Sequence, residues 1–225
     1  MEERFTRNIG AITENELQKL NAAKVFVAGC GGLGGYVIEY LIRVGIGHIV
    51  CADSGRFETS DLNRQIFSDT KAIGRKKVDV VKERAQRICP DINIDAIDVN
   101  MDRNNLSDLI SGCDLAIDAL DSKITRAALF SACRAQGIPT VHGAVEGWQA
   151  QAAFIPPNIE AEHLLYPGTD YSPQSDQISV LSFTPGMAAS MQASLAVQFL
   201  CGRKCCAGLH IFDAQTMEYK FVGVE

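Results

Sequence analysis

The chain reads Val25-Phe-Val-Ala-Gly29-Cys-Gly31-Gly32-Leu-Gly34 near its N-terminus, and this segment carries the strongest structural signal in the sequence. Residues 25–28 are a short apolar run that predicts a buried strand. The glycines after it satisfy the pattern G-x-G-x-x-G, and residues 34–44 carry apolar side chains at helical spacing. A strand, a glycine turn and a helix in this order predict a phosphate-binding turn. Glycines let backbone N–H groups approach phosphate oxygens, and the start of the helix carries partial positive charge.

Strands and helices alternate along the rest of the chain. The patterns predict strands at 48–52, 92–99, 115–120, 139–144, 151–155, 209–212 and 219–222, and helices at about 75–88, 103–110, 124–136 and 187–200. This order predicts an α/β fold, Rossmann-like and doubly wound, with a mostly parallel sheet, helices on both faces and antiparallel strands toward the C-terminus. We expect one domain over residues 1–225, with an N-terminal arm at about 1–22 and a loop at about 156–182.

Composition excludes several classes of protein. The chain has 225 residues, of which 47% are hydrophobic and 21% charged, which is ordinary for a globular enzyme. The net charge of −6 provides no overall basic field, so nucleic acid is not an expected partner. No apolar run reaches the roughly 18 residues of a membrane helix, and the N-terminus lacks the apolar stretch of a signal peptide, so we expect a cytoplasmic protein. The eight cysteines form no C-x-x-C pair, so no zinc site is expected.

Asp53 comes directly after the second predicted strand, 19 residues after Gly34. A carboxylate at this point can accept hydrogen bonds from both hydroxyl groups of a ribose. Nucleotide binding is therefore expected, but the glycine turn and Asp53 do not distinguish NAD from ATP.

Charged residues elsewhere favour chemistry on phosphates. The loop after Asp53 contains Asp61-Leu-Asn63-Arg64-Gln65, the next helix starts with Gly74-Arg-Lys-Lys77, and Asp118 and Asp121 end the fourth strand. Nucleotidyl transfer needs cations and a metal-binding carboxylate to neutralise charge on phosphate oxygens, whereas a dehydrogenase does not. The alternative is that residues 75–77 are a solvated helix face and that Asp121 is a helix N-cap.

These residues, taken in order, resemble the ThiF/MoeB/HesA family, relatives of the ubiquitin-activating enzymes. The shared features cover nearly the whole chain. They are Arg4-Phe-Thr-Arg7, the turn at 29–34, Asp53, Ser60-Asp-Leu-Asn-Arg-Gln65, Gly74-x-x-Lys77, Asp118-Ala-Leu-Asp121 and His142-Gly-Ala. The stretch L-N-R-Q combined with the glycine turn and a spaced lysine is specific, although each alone is weak.

The resemblance implies an adenylyltransferase that uses ATP and Mg²⁺. Its partner would be a ubiquitin-like sulfur-carrier protein ending in Gly-Gly, as in thiamine or molybdopterin biosynthesis, and the enzyme would be a homodimer. It implies that Arg64 and Lys77 stabilise phosphate charge, that Asp121 holds Mg²⁺, and that Arg7 reaches the partner subunit's site. The remaining implied nucleotide-binding residues are Gly29, Gly31, Gly32, Gly34, Asp53, Asp61, Asn63, Gln65 and Ser122.

The sequence also departs from this family. Asp61 and Ser122 stand where Asn is usual, so we expect Asp61 to add negative charge near phosphate and either to weaken binding or to recruit metal. The family's zinc-binding C-x-x-C pairs are missing, and Glu162-His-Leu-Leu-Tyr166 occupies about the first location. No cysteine lies within 156–182, so we expect adenylation without a covalent thioester, with Cys201, Cys205 and Cys206 as the alternative.

Three other functions stay open at this point. The first is a relative that activates a carboxylate on tRNA or on a small molecule. The second is an NAD-dependent oxidoreductase, and the third is an inactive binding module that keeps the fold.

Overall fold

Eight strands form one mixed sheet in the computed structural model, which describes residues 3–160, 165 and 179–223. In chain order they are β1 (Lys24–Ala28), β2 (His48–Ala52), β3 (Asn93–Ile97), β4 (Leu115–Asp118), β5 (Thr140–Glu146), β6 (Gln149–Ile155), β7 (Gly208–Asp213) and β8 (Glu218–Gly223). Their order across the sheet is β3-β2-β1-β4-β5-β6-β7-β8. Neighbours from β3 to β5 pair in parallel, and neighbours from β5 to β8 pair antiparallel.

Helices cover both faces of this sheet. They are α1 (Glu14–Ala22), α2 (Gly32–Val44), α3 (Lys77–Ile88), α4 (Leu106–Leu109), α5 (Lys123–Gln136) and α6 (Thr184–Leu200). Short 3₁₀ helices span Glu3–Asn8 and Thr59–Asp61. The core formed by α1, α2, α3 and α6 lies on one face, and the core formed by α4 and α5 lies on the other. The expected Rossmann-like α/β class is confirmed.

The central strand β1 shows why its sequence is apolar throughout. Val25 and Val27 point into the core of α2 and α6, and Phe26 and Ala28 point into the core of α4 and α5. Successive side chains of a strand alternate between faces, and both faces are covered here, so all four of these side chains are buried.

The strand order reverses between β1 and β4, and this reversal positions the site. After β1 the chain crosses to β2 on one side, whereas the later strands β4 and β5 extend the sheet on the other side. The connections diverge from this point and leave a crevice at the carboxyl ends of the strands, which is where open α/β sheets bind ligands.

Several boundaries differ from expectation. The predicted arm at 1–22 contains α1, and the helix predicted at 103–110 is a single turn at Leu106–Leu109. Most of the predicted loop at 156–182, and all of Glu162-His-Leu-Leu-Tyr166 except Leu165, lie outside the described residues. Among the described helices, none has both the length and the apolar character needed to cross a membrane.

Candidate functional site

The glycine turn joins β1 to α2 at the carboxyl end of the sheet. Gly29 has a φ of +96°, which residues with a side chain rarely adopt. A Cβ atom at Gly34 would lie 1.9 Å from the Gly29 carbonyl oxygen, so only glycine lets α2 approach the turn this closely. α2 begins at Gly32, and no side chain caps its first N–H groups. The turn therefore offers backbone donors and partial positive charge to an anion.

Asp53 lies directly after β2, and its carboxylate is held against the glycine turn. Oδ2 accepts a 2.7 Å hydrogen bond from the Cys30 N–H, and Oδ1 accepts a 2.6 Å hydrogen bond from the Gly55 N–H. Because Cys30 belongs to the turn, the same backbone that would approach phosphates also orients this carboxylate. Each carboxylate oxygen keeps a second lone pair, so Asp53 can also accept hydrogen bonds from ribose hydroxyls.

A group of four side chains, which we call the Asp61 cluster, lies between β2 and α3. It consists of Asp61, Arg64, Gln65 and Lys77. The Asp61 carboxylate is buried. Its Oδ1 accepts a 2.5 Å hydrogen bond from Gln65 Nε2 and lies 3.4 Å from an Arg64 guanidinium nitrogen, and its Oδ2 lies 3.8 Å from Lys77 Nζ. Two cations and one carboxylate give the cluster a formal charge of +1, and both cations stay partly exposed.

Short-range contacts hold Asp61 at the centre of this cluster. The Glu58 N–H donates to Asp61 Oδ2 at 3.0 Å, which closes the 3₁₀ turn Thr59–Asp61. Buried Phe57 and Phe67 anchor the two ends of the segment. We expected this aspartate to add negative charge near phosphate and either to weaken binding or to recruit metal. Its buried carboxylate instead pairs with Arg64 and Lys77, so these two cations neutralise its negative charge.

The amide of Gln65 lies between the Asp61 cluster and the glycine turn. A Cβ atom at Gly31 would be 3.7 Å from both the nitrogen and the oxygen of this amide. Gln65 Oε1 is buried and has no hydrogen-bond partner within the described part of the chain. Pro185, in the first turn of α6, would lie 3.8 Å from a Cβ atom at Gly32. The cluster, the glycine turn and the start of α6 therefore meet at one place.

Asn63 links this place to the segment that leads into α6. Its Nδ2 donates to the Val180 carbonyl at 3.3 Å, and its Oδ1 accepts a 3.0 Å hydrogen bond from Arg64. Phe183 lies further along the same segment and contacts Trp148 at the β5–β6 turn, with 5.4 Å between the ring centroids. Asn63 thus connects Arg64 to the segment that precedes α6, and its part in nucleotide binding stays a prediction.

The segment after β4 lies against the other side of the glycine turn. A Cβ atom at Gly29 would be 2.9 Å from the Ala119 carbonyl oxygen. Asp121 is exposed, and its carboxylate has no partner among residues 3–160, 165 and 179–223. The alternative that Asp121 is the helix N-cap is wrong, because Ser122 caps α5 and its Oγ accepts from the Thr125 N–H at 3.3 Å. Asp121 is therefore the residue of this segment with a free carboxylate, and its role as a metal ligand stays a prediction.

A second set of polar side chains, the Asp118 network, is buried beneath this segment. Asp118 Oδ2 lies 2.6 Å from His142 Nδ1 and 2.8 Å from Arg126 Nε, and all three residues are buried. Burial alone would raise the pKa of Asp118, but the charge of Arg126 and the hydrogen bond to His142 hold that pKa below its ordinary value. Burial lowers the pKa of His142, so a neutral imidazole donates from Nδ1. Asp118 is thus fully paired and, unlike Asp121, does not face solvent.

Arg126 of this network, and Gln192, which we add to the network here, escape prediction from the sequence. Arg126 shares the buried stripe of α5 with Leu129, Phe130 and Cys133, and a charged residue at a core position is the signal that could have found it. Gln192 is fully buried in α6, and its Nε2 donates to the Asp118 carbonyl at 2.8 Å. No pattern distinguishes Gln192 from Gln198, which is also in α6 and more exposed.

Arg7 lies far from the glycine turn of its own chain. It belongs to the 3₁₀ helix Glu3–Asn8, in which Asn8 Nδ2 donates to the Val44 carbonyl at 3.1 Å. Val44 is the last residue of α2, and the glycine turn lies at the first residue of this helix. The length of the 13-residue helix therefore separates Val44 from the turn by about 18 Å. The described chain does not bring Arg7 to its own crevice.

Two of the three cysteines near the C-terminus are poorly suited to nucleophilic chemistry. Burial raises the pKa of both Cys201 and Cys205, which disfavours the thiolate that a nucleophile requires. Cys206 is exposed. No three His, Cys, Asp or Glu side chains within the described ranges come together in a way that could hold a metal ion.

Comparison with known proteins agrees with this geometry. The sequence matches the ThiF family over residues 5–225. It is 31% identical over 209 residues to the SAMP-activating enzyme E1 of Haloferax volcanii, a match that covers 91% of this chain and 77% of that relative. It is 29% identical over 207 residues to the sulfur carrier protein ThiS adenylyltransferase of Escherichia coli, a match that covers 90% of this chain and 82% of that relative.

A solved structure shares the fold. The crystal structure of E. coli MccB with MccA-N7isoASN superposes with a TM-score of 0.88 at 19% identity, covering 98% of this chain and 71% of that protein. The ThiF family match and the relative named as a ThiS adenylyltransferase confirm the expectation of an adenylyltransferase. The chain belongs to the ThiF family.

Proposed function

We propose that this enzyme uses ATP to adenylate the C-terminal glycine carboxylate of a small ubiquitin-like sulfur-carrier protein ending in Gly-Gly, releasing pyrophosphate. The observation that carries the proposal is the pairing of Arg64 and Lys77 with Asp61, whose hydrogen-bond partner Gln65 lies beside the glycine turn. Asp121 is exposed on the segment that contacts the same turn. Two cations, uncapped backbone donors and one free carboxylate suit a polyphosphate better than the single pyrophosphate of a dinucleotide.

The residues present fit a nucleoside triphosphate. The glycine turn leaves room where a Cβ atom would obstruct phosphates. Buried Gln65 Oε1 beside it is an unused acceptor that suits a hydroxyl or amino donor of the nucleotide. Mg²⁺ is bound in proteins by one or two carboxylates together with phosphate oxygens and water, so a single exposed Asp121 is sufficient. When bound there, Mg²⁺ would supply additional charge neutralisation on the phosphates.

The reaction is an in-line substitution at the α-phosphorus. A carboxylate oxygen of the carrier forms a bond to the α-phosphorus, the bond from that phosphorus to the bridging oxygen breaks, and pyrophosphate leaves with the electron pair. Two anions must approach each other, so Arg64 and Lys77 lower the barrier by neutralising charge, and the turn orients the phosphates. A carboxylate is ionised at neutral pH, so the step needs no side-chain base.

A protein carrier is supported by the names of the two relatives, which describe an E1 enzyme and a ThiS adenylyltransferase. No cysteine lies within 156–182, and burial raises the pKa of both Cys201 and Cys205, which disfavours these two thiols as acceptors of the activated carrier. Both observations support a reaction that ends at the adenylate.

A homodimer is part of the proposal. Arg7 resembles the family position that completes the site of the second subunit. Its neighbour Asn8 contacts the end of α2 that lies about 18 Å from the glycine turn, which supports action in the partner rather than within one chain. Two-fold symmetry would then place one Arg7 in each of the two sites.

The test is carrier-dependent exchange of pyrophosphate into ATP. Lys77→Ala and Asp121→Ala should each lower exchange by about a hundredfold, the loss typical of removing one group that stabilises charge in a transition state. Lys76→Ala is the matched control, because Lys76 precedes Lys77 but pairs with Asp98 at 2.6 Å, and it should stay within about twofold of wild type.

Other outcomes would contradict the proposal. Exchange that depends on a tRNA or on a small carboxylate, with no response to any ubiquitin-like carrier, would show that the enzyme activates a different class of substrate. Tight NADH binding, measured by fluorescence quenching and unaffected by Arg64→Ala, would favour an oxidoreductase.

A further inference from the structure

The stability of the fold does not by itself explain the Asp118 network. Asp118 is fully buried and Arg126 is 7% exposed, so a complete ion pair has been removed from water. Taking two charges out of water costs several kcal/mol per ion, and replacing such a pair by apolar residues is often neutral or stabilising. The network therefore calls for a role beyond holding α5 to the sheet.

Several of its contacts hold the segment that carries Asp121. The Arg126 guanidinium forms an ion pair with the Asp118 carboxylate, with Nε 2.8 Å from Oδ2, and a terminal nitrogen donates a hydrogen bond to the Leu120 carbonyl. Asp118 Oδ1 accepts from the Leu120 N–H at 3.0 Å. Both backbone polar groups of Leu120 are thus fixed by side chains of the network.

Two further elements hold the start of the same segment. Gln192 of α6 donates to the Asp118 carbonyl at 2.8 Å, and His142 of β5 binds the Asp118 carboxylate at 2.6 Å. Three elements therefore fix the backbone up to Leu120. The next residue, Asp121, is exposed, and its carboxylate has no partner in the described part of the chain.

We propose that Arg126 is a positioning residue: by clamping the Asp118 carboxylate and the Leu120 carbonyl together, it sets the direction of the Asp121 carboxylate toward magnesium-bound nucleotide. This inference rests on the proposed function, because it takes Asp121 as a magnesium ligand. The planar guanidinium suits the task, since one rigid group reaches two acceptors two residues apart.

The test measures how much Mg²⁺ tightens nucleotide binding, not turnover. A fluorescent non-hydrolysable ATP analogue is titrated by anisotropy in EDTA and at increasing Mg²⁺ concentrations. Arg126→Lys keeps the positive charge beside Asp118, but its single ammonium group cannot hold both acceptors in the same geometry. We expect it to raise the Mg²⁺ concentration at half effect by about tenfold and to leave the affinity in EDTA within about twofold of wild type.

Two further variants serve as the controls for the size of the Mg²⁺ effect. Asp121→Ala should abolish the Mg²⁺ effect. Arg134→Lys, on the same helix and paired at the surface with Glu160, should behave as wild type. If Asp121→Ala abolishes the effect and Arg126→Lys does not change it, the positioning role is refuted and the proposed function stands. If Asp121→Ala also leaves it unchanged, the metal role assigned to Asp121 fails first.

A merely structural role gives a different result. Arg126→Lys would then weaken analogue binding equally in EDTA and in Mg²⁺, and this outcome overturns the inference. If Arg126→Lys does not fold, His142→Asn provides the second test, because the Asn amide can still donate to Asp118. We expect a shift of about threefold in the Mg²⁺ requirement of this variant, and an unchanged requirement would overturn the inference.

Discussion

Gly32→Ala should separate nucleotide binding from stability, because the two respond in opposite directions. A Cβ atom at Gly32 would have its nearest neighbour, a Pro185 carbon, at 3.8 Å, which is an ordinary van der Waals distance. Gly32 is the first residue of α2, and its φ is not positive. The protein itself therefore has room for this methyl group, whereas a bound phosphate would meet it.

The expected effect on stability is small and favourable. Alanine is better than glycine by up to about 1 kcal/mol inside a helix, and the gain is smaller in its first turn. A 225-residue chain gains or loses about 2–4 °C in Tm per kcal/mol, so the Tm of the unliganded variant should be unchanged or higher by up to about 3 °C.

The expected effect on binding is large. An N–H donor must come to about 2.9 Å from a phosphate oxygen, and a methyl group on the approach prevents this. A hydrogen bond to a charged group contributes about 1.5–3 kcal/mol, so losing one weakens binding by about 10- to 100-fold. ATP at 100 times its wild-type Kd stabilises that protein by about 2.7 kcal/mol. A variant with a hundredfold higher Kd would gain only about 0.4 kcal/mol.

Thermal unfolding with and without Mg-ATP measures both quantities in one experiment. Wild type should gain about 5–10 °C on addition of ATP, and Gly32→Ala about 1 °C. Gly34→Ala is the contrasting variant, because its Cβ atom would lie 1.9 Å from the Gly29 carbonyl oxygen and should lower the Tm without any ligand. A full ATP shift in Gly32→Ala, or a Tm several degrees below wild type, would refute the reasoning.

Subunit mixing, pH and fluorescence give three more tests of the same contacts. An equal mixture of Arg7→Ala and Asp121→Ala subunits should recover about a quarter of wild-type exchange. Half of the randomly formed dimers contain one subunit of each variant, and each of these mixed dimers has one complete site out of two. No recovery would contradict a role of Arg7 across the dimer. Burial lowers the folded-state pKa of His142, so below about pH 6.5 the unfolded chain binds more protons and the free energy of unfolding falls. His142→Asn should reduce that fall by about 1 kcal/mol between about pH 7.5 and 5.5 in urea titrations, and an identical pH dependence would oppose it. Trp148, the sole tryptophan, contacts Phe183 just before α6, so ATP should change its fluorescence; an unchanged spectrum on binding would argue that the start of α6 does not respond.

Local signals predicted the central unit of the fold. The run at 25–28 became β1 at Lys24–Ala28, and the helix expected from residue 34 begins at Gly32. Apolar periodicity and glycine positions act over a few residues, so they can be read without knowing the sheet. The capping box between Thr13 and Glu16 is a local signal of the same kind, and it starts α1 within the segment predicted as an arm.

The site depended on contacts that the sequence does not show. Asp61 and Lys77 are 16 positions apart, and only the folded loop reveals that the carboxylate lies beneath the cation. The Asp118 network joins β4, β5, α5 and α6, and the roles of Arg126 and Gln192 depend on how these elements pack. Residue types could therefore be predicted for the crevice, but not which carboxylate is buried and which is exposed.

The position of Asp61 has an energetic consequence for ligand capture. Arg64 and Lys77 are long side chains, and ordering each of them normally opposes binding by up to about 2 kcal/mol of conformational entropy. Here the Asp61 carboxylate already restrains both, and the Ser60 carbonyl fixes the Arg64 guanidinium at 2.6 Å. Folding, rather than the arriving phosphates, thus supplies most of this ordering, and a preorganised pair of cations needs little rearrangement to receive them.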